Sequence, residues 1–254
     1  FYYGGDLDFS NFRSYFTRKS VDQVVDIKSF PRSVAVQKWG VPDNYVYDMI
    51  LNDLDEVKQA FFLSFFTLSS HEPFDIPGDP AFGFSERDEQ SRSAFYFADK
   101  CLEVFIEQAR QKPWWENTLV IVLSDHGSRS PGNTPNHSRE KFAIPMLWIG
   151  GALLAEPEII PVYSSQTDLP ATLLNQFGYD YNDFRYSKNI FDPQRCNFAF
   201  YSFHNGFGFF TDSVELIYDN SAEKFIHESG NSAGSRHAHG KALLQVLTND
   251  FLSF

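Results

Sequence analysis

The chain has 254 residues, with 21 Lys and Arg against 33 Asp and Glu for a formal charge of -12, and no basic run that could gather the phosphates of a nucleic-acid backbone. Its longest apolar stretch, Phe142 to Ala155, is interrupted by Pro145 and by Gly150 and Gly151, and is too short to cross a bilayer. The expectation is a soluble chain, large enough for a substantial core, without a nucleic-acid partner.

In chain order, the first residue is Phe with no charged-then-apolar leader before it, so the numbering is expected to begin inside a longer or processed chain. Phe1 to Phe16 reads as a strand end running into a loop that carries Asp6 and Asp8, which taken alone are also ordinary turn acids. Asp43 stands where it can cap a helix from Asn44 to Lys58, with Val46, Ile50, Leu51 and Leu54 at helical spacing. Ala60 to Leu68 is almost wholly apolar and predicts a central strand that ends on a loop bearing His71. A long helix from about Glu86 to Gln111 follows and is stopped by Pro113.

The next strand, Thr118 to Leu123, is rich in β-branched residues and reads as buried on both faces. The helix between this strand and the previous one makes a βαβ crossover, which predicts that the two are parallel. The strand stops on Asp125, His126 and Gly127. A carboxylate and an imidazole converge there only if the chain turns as it leaves the sheet, and such a pair suits a divalent metal; the alternative is a helix-capping Asp beside a surface His. Ser128 to Glu140 is a polar lip that includes His137, and Phe142 to Ile149 is a further strand. A capped helix runs from Asp168 to Gly178.

The last third changes texture. Phe198 to Phe210 and Val214 to Tyr218, turning at Asn205-Gly206 and Asp212-Ser213, predict antiparallel hairpins, and Gly240 to Phe254 predicts an amphipathic final helix. His237 and His239 precede it in a Ser-, Gly- and His-rich loop, as a weak metal pair or, on the better reading, as solvated loop histidines. Cys101 lies among apolar helix positions as a buried thiol; neither it nor Cys196 has zinc or CxxC spacing.

Six short stretches occur in a telling order: Phe-Tyr-Tyr-Gly-Gly-Asp, Trp-Gly-Val-Pro-Asp, Leu-Ser-Ser-His-Glu-Pro-Phe, Trp-Glu-Asn-Thr-Leu-Val-Ile-Val-Leu-Ser-Asp-His-Gly, Ala-Ile-Pro-Met-Leu-Trp and Thr-Asp-Leu-Pro-Ala-Thr-Leu-Leu. Together, over Phe1 to Gly178, they resemble the lipoteichoic-acid synthase and phosphoglycerol transferase branch of the sulfatase and alkaline-phosphatase superfamily. The resemblance implies an α/β fold with a largely parallel central sheet, helices on both faces and a smaller antiparallel C-terminal portion. Residues 1–195 would be the α/β core and 196–254 the hairpins and final helix of the same domain.

The resemblance also implies one divalent cation, manganese foremost, with zinc, calcium or magnesium as alternatives. It would be held by Asp125 and His126 together with a Glu and a nucleophilic Thr expected upstream of Phe1. His71 matches a histidine that contacts the substrate phosphate, and His137 falls where related enzymes carry a further active-site His. Asp6 or Asp8 falls near the headgroup-binding segment. The implied substrate is an anionic lipid or glycan headgroup, and the implied setting is extracytoplasmic, on a parent protein anchored in the membrane. The residues alone leave two alternatives open: a sulfate-ester or phosphodiester hydrolase of the same superfamily, and a non-catalytic envelope domain that binds glycolipid. On the resemblance this chain by itself is expected to lack the nucleophile and to hold a cation weakly.

Overall fold

A computed structural model describes residues 1–18, 21–230 and 233–253. The chain gathers into two compact units, the first formed by Phe1–Ser124, Ser128–Asn133 and Pro145–Leu154, the second by Asp125–Gly127, Thr134–Ile144 and Ala155–Phe254.

In the first unit β1 (Tyr2–Tyr3) lies parallel to β2 (Phe65–Phe66), with Tyr2 opposite Phe65. A short helix α1 (Phe12–Arg18) buries none of its residues. Helix α2 (Asp43–Glu56) turns Val46, Ile50, Leu51 and Leu54 inward, as their spacing requires. Helix α3 (Arg87–Ala109) begins at a reciprocal capping box between Glu86 and Glu89. Phe105, Ile106 and Ala109 of α3 join the α2 stripe, Tyr2, Val25, Val41 and Trp115 in one core. Full burial of each large apolar side chain there contributes about 1.5–3 kcal/mol, which makes this core the support for the loops it carries. β3 (Val120–Leu123) pairs with β4 (Met146–Ile149) antiparallel, Val120 opposite Ile149 and Leu123 opposite Met146.

The mixed α/β class holds, but the pairing within it differs from the sequence expectation. Of the apolar run 60–68, only Phe65 and Phe66 are strand, because a ladder extends only as far as its partner and that partner is the two-residue β1. β2 neighbours β1 and β3 neighbours β4, so α3 does not join two paired parallel strands among the described residues. β3 is half-buried at each position instead of buried on both faces. Asp43 is the first residue of α2, preceded by Pro42 at the cap position, and its carboxylate is used elsewhere.

The second unit holds α4 (Arg139–Phe142) and α5 (Leu169–Gln176), the latter with Pro170 in its first turn and Gly178 just past its end at φ +73°. An antiparallel sheet follows in chain order: β5 (Phe198–Phe203), β6 (Gly206–Thr211), β7 (Val214–Asp219) and β8 (Lys224–Ser229). The second hairpin turns at Asp212-Ser213, as its turn residues predict, whereas the first turns one residue earlier than the Asn-Gly signal, at His204-Asn205; Gly206 already pairs with Phe203 in β6, where a Cβ would sit 2.0 Å from the Tyr218 carbonyl oxygen. Phe207, Phe209, Val214 and Leu216 form its core with Leu243 and Leu244 of α6 (Ala233–Phe251).

Helix α6 starts at Ala233, not at Gly240, so His237 and His239 are helical and not in a loop. The polar, glycine-containing approach hid this start. His237 stacks on Phe225 with ring centroids 3.9 Å apart, and such packing outweighs weak local propensity. Cys101 and Cys196 are both free thiols, Cys101 buried with its pKa pushed up to about 12 by that burial.

Candidate functional site

The Asp-His-Gly turn follows β3 directly and belongs to the second unit. Its two side chains are open to solvent, 52% exposed for Asp125 and 70% for His126. They are nevertheless aimed at one another. The His126 amide donates to Asp125 Oδ1 at 2.9 Å, and His126 Nδ1 lies 3.0 Å from the carbonyl oxygen of Gly127. A carbonyl can only accept, so Nδ1 carries the proton and the neutral ring has its lone pair on Nε2. That Nε2 stands 3.5 Å from Asp125 Oδ2.

The separation is long for a hydrogen bond but suits two ligands of one cation, since bonds of about 2.0–2.2 Å at tetrahedral or octahedral angles put neighbouring donors roughly 3–3.5 Å apart. Donation from the other ring nitrogen to a backbone carbonyl is also how metal-ligating histidines are oriented. Among the described residues no cluster of three or more His, Cys, Asp or Glu is placed to hold a metal ion.

The turn is gripped through its backbone. Gln166 Nε2 donates to the Asp125 carbonyl at 2.8 Å, and Lys141 Nζ donates to the Gly127 carbonyl at 2.9 Å. Gly127 is needed for close approach and not for a positive φ: a Cβ there would sit 1.9 Å from the Lys141 carbonyl oxygen. Gln166 opens a 3-10 turn, Gln166–Asp168, whose Asp168 closes a capping box with Ser165 and is buried against Lys188, with Nζ 2.9 Å from Oδ1.

His137 lies just before α4. Its carbonyl accepts from the Tyr201 hydroxyl at 2.9 Å, and its ring is 6.3 Å from that of Phe203. Tyr201 is stacked on Phe142 at 3.9 Å and covers Gly208, where a Cβ would meet its ring at 2.2 Å. Burial, and then the nearby Glu140 carboxylate, push the Tyr201 pKa upward, so the phenol keeps the proton it donates. Arg139 Nη1 reaches Glu215 on β7 at 2.5 Å. The antiparallel sheet thus anchors α4 and His137.

His71 belongs to the first unit, in a loop held by a buried carboxylate. Asp43 is fully buried; its oxygens accept the amides of Leu68 at 2.7 Å and Ser69 at 3.1 Å, and its own amide donates to Ser69 Oγ at 2.9 Å. Ser69 Oγ in turn donates to Gln37 Oε1 at 3.3 Å, and Gln37 Nε2 donates to the Asp75 carbonyl at 2.7 Å. Burial raises the Asp43 pKa to about 6, against the lowering effect of the two backbone amides. His71 itself is exposed, with Nδ1 2.7 Å from the Glu72 carbonyl and its ring edge-on to Trp39 at 5.9 Å. Trp39 Nε1 donates to the same carbonyl at 2.5 Å. In the neutral ring Nε2 is therefore a proton acceptor, and it becomes a donor once protonated.

Asp6 and Asp8 come together with two cations. The Asp6 carboxylate accepts the Asp8 amide at 2.9 Å, while Asp8 is paired with Arg13 Nε at 2.5 Å and with Lys28. Arg13 also reaches the buried Asp26. Hydrogen bonds from Lys28 and then Arg13 hold the Asp8 carboxyl below its usual range. Asp8 is thus ion-paired, while Asp6 acts as a turn acid by accepting the amide two residues on, with Lys28 Nζ 3.9 Å away.

Sequence reading named every side chain of the Asp-His pair but none of its holders. Gln166 is 41 residues from Asp125 and Lys141 is 14 from Gly127, and neither follows a local pattern. The use of Asp43 across 25 and 26 residues was equally hidden behind its reading as a helix cap.

A family model described as sulfatase matches residues 1–179. The chain belongs to the sulfatase family. Within it, the chain falls in the branch like lipoteichoic acid synthase and phosphoglycerol transferase. The lipoteichoic acid synthase-like YvgJ of Bacillus subtilis is 23% identical over 201 residues, covering 70% of this chain and 32% of that protein. Phosphoglycerol transferase I of Escherichia fergusonii is 28% identical over 95 residues, 35% of this chain and 12% of the other. The chain therefore spans at most about a third of the curated relatives it matches.

Two solved structures share the fold. A protein in the alkaline phosphatase superfamily from Vibrio parahaemolyticus superposes with a TM-score of 0.77 at 23% identity, covering 98% of this chain and 64% of that one. The lipoteichoic acid synthase LtaP from Listeria monocytogenes gives 0.75 at 18% identity, covering 99% and 69%. The fold is that of the alkaline-phosphatase superfamily. No helix among the described residues is long and apolar enough to cross a membrane.

Proposed function

We propose that this sulfatase-family chain serves, within its intact protein, a metal-dependent phosphoryl or phosphoglycerol transferase. Its substrates are lipid- or glycan-linked phosphodiesters outside the cytoplasmic membrane, and the transferred group passes through a phospho-threonine. The observation that carries this reading is the pairing of Asp125 Oδ2 with His126 Nε2 at 3.5 Å, with Nδ1 anchored on a carbonyl. These two residues would supply a carboxylate and a neutral nitrogen to one divalent cation, manganese foremost, joined by the Glu and Thr that the family resemblance puts upstream of Phe1. The cation, when bound, favours the ionised hydroxyl of the nucleophile and offsets charge on the phosphoryl oxygens.

The remaining steps fall to the chain's own side chains. His71, with Nε2 as acceptor, takes the proton of an attacking hydroxyl and returns it as the imidazolium, which also donates to a phosphoryl oxygen as charge develops there. His137, held through its carbonyl by Tyr201, is a second donor of the same kind. Asp6 and Asp8, with Arg13 and Lys28, present hydroxyl acceptors and cations to an anionic headgroup.

The test is metal content. Asp125→Ala in the purified intact protein is expected to lose stoichiometric manganese, and full retention would overturn the assignment.

A further inference from the structure

The Asp125 and His126 side chains are too exposed for packing to hold their geometry, yet both point to one place. We propose that Gln166 and Lys141 are positioning residues that preset this pair for its cation, an inference that rests on the metal reading above.

Two peptides of the turn, those carrying the Asp125 and Gly127 carbonyls, are each held by a side chain from elsewhere in the second unit. The amide of Gln166 orients the carbonyl of Asp125, which sets the plane of the peptide that leads into His126. The ammonium of Lys141 and Nδ1–H of His126 converge on the carbonyl of Gly127, at 2.9 and 3.0 Å. Lys141 thereby fixes the acceptor that selects the His126 tautomer. Its backbone carbonyl is also the wall that excludes any side chain at position 127. Lys141 makes no ion pair with a carboxylate among the described residues, so its charge is directed to this carbonyl and not to a surface salt bridge.

A charge-assisted bond is about twice as strong as a neutral one, and that of Lys141 to Gly127 is part-buried, which limits its screening. Neither residue would ligate the cation. Their work is to remove, before binding, the freedom that the exposed ligands would otherwise lose on binding. Outer partners of metal ligands typically contribute 10- to 100-fold in affinity.

The experiment titrates manganese into the metal-free intact protein by calorimetry, with the Mn(II) paramagnetic resonance spectrum of the bound ion as a second readout. Gln166→Met keeps the side-chain length and Lys141→Met shortens it by one atom, and both remove the donor. Each is expected to weaken manganese binding by roughly 10- to 100-fold and to broaden the spectrum, with Lys141→Arg recovering most of the loss. Rescue by Arg separates positioning from a general loss of structure. Unchanged affinity in both Met variants, while Asp125→Ala abolishes binding, would overturn the positioning role and leave the metal reading in place. Manganese retained by Asp125→Ala would overturn both.

Discussion

The loop of His71 and the turn of Asp125 and His126 are held by opposite means. The first is anchored from beneath, by a fully buried carboxylate that takes two backbone amides of residues 68 and 69. The second is exposed and held from the side, by an amide and an ammonium that take its carbonyls. Buried anchoring couples the loop to global stability, because an unmet amide in the core costs free energy wherever the chain is folded. Lateral anchoring of an exposed turn does not. Damage to the His71 anchor should therefore appear as loss of stability, whereas damage around the turn should appear as loss of affinity with the fold intact.

The largest effect should come from His71 itself. His71→Ala is expected to lower turnover of the intact enzyme by roughly two to three orders of magnitude while manganese stays bound. Since the ring is exposed and its anchors are backbone groups, melting should barely change. A near-normal rate would return His71 to the class of hydrogen-bonded loop residues.

Asp43 sharpens the contrast. Asp43→Ala strands the amides of Leu68 and Ser69 in the interior, and should cost about 2–4 kcal/mol by urea unfolding. The native carboxyl titrates near 6 against an unperturbed 3.8, so as pH falls the folded state takes up this proton first. Its contribution to stability accordingly rises as pH drops from about 6 towards 3.8. Above 6 the full cost of the buried charge is present, of the order of 3 kcal/mol from a shift of about two units. Asp43→Asn should erase that slope, read as the difference between the two proteins at pH 4, 5 and 6.5. Parallel profiles would show that the carboxyl is not charged and buried as described.

The smallest effect belongs to Asp8. Its ion pairs with Arg13 and Lys28 are solvent-exposed, so Asp8→Asn should leave the melting temperature within error and change binding of an anionic headgroup only modestly. A large loss of stability would mean that the ion-paired acid holds the loop and is not simply presented on it.

The helices and hairpins were legible because their signals are local. The α2 stripe, the Glu86 capping box, Pro170 and Gly178 around α5, and the Asp212-Ser213 turn each lie within a few residues of what they specify, and the Asn-Gly signal misses its turn by one residue. Strand pairing was not, since a ladder belongs to two segments. The run 60–68 has the composition of a long strand, but its length was set by a two-residue neighbour more than 60 positions away.

The Asp-His pair shows the same division within one site. Composition and order determined that an acid, an imidazole and a small residue would end a strand, and therefore what chemistry the turn can offer. Only the tertiary structure decided which ring nitrogen carries the proton, that position 127 has no room for a side chain, and that Gln166 and Lys141 hold the carbonyls. The ring proton is set by the neighbouring carbonyl, but the other two rest on contacts between groups 14 and 41 residues apart in the chain. Their partners are chosen by where the backbone returns, and no spacing rule along the sequence encodes that return.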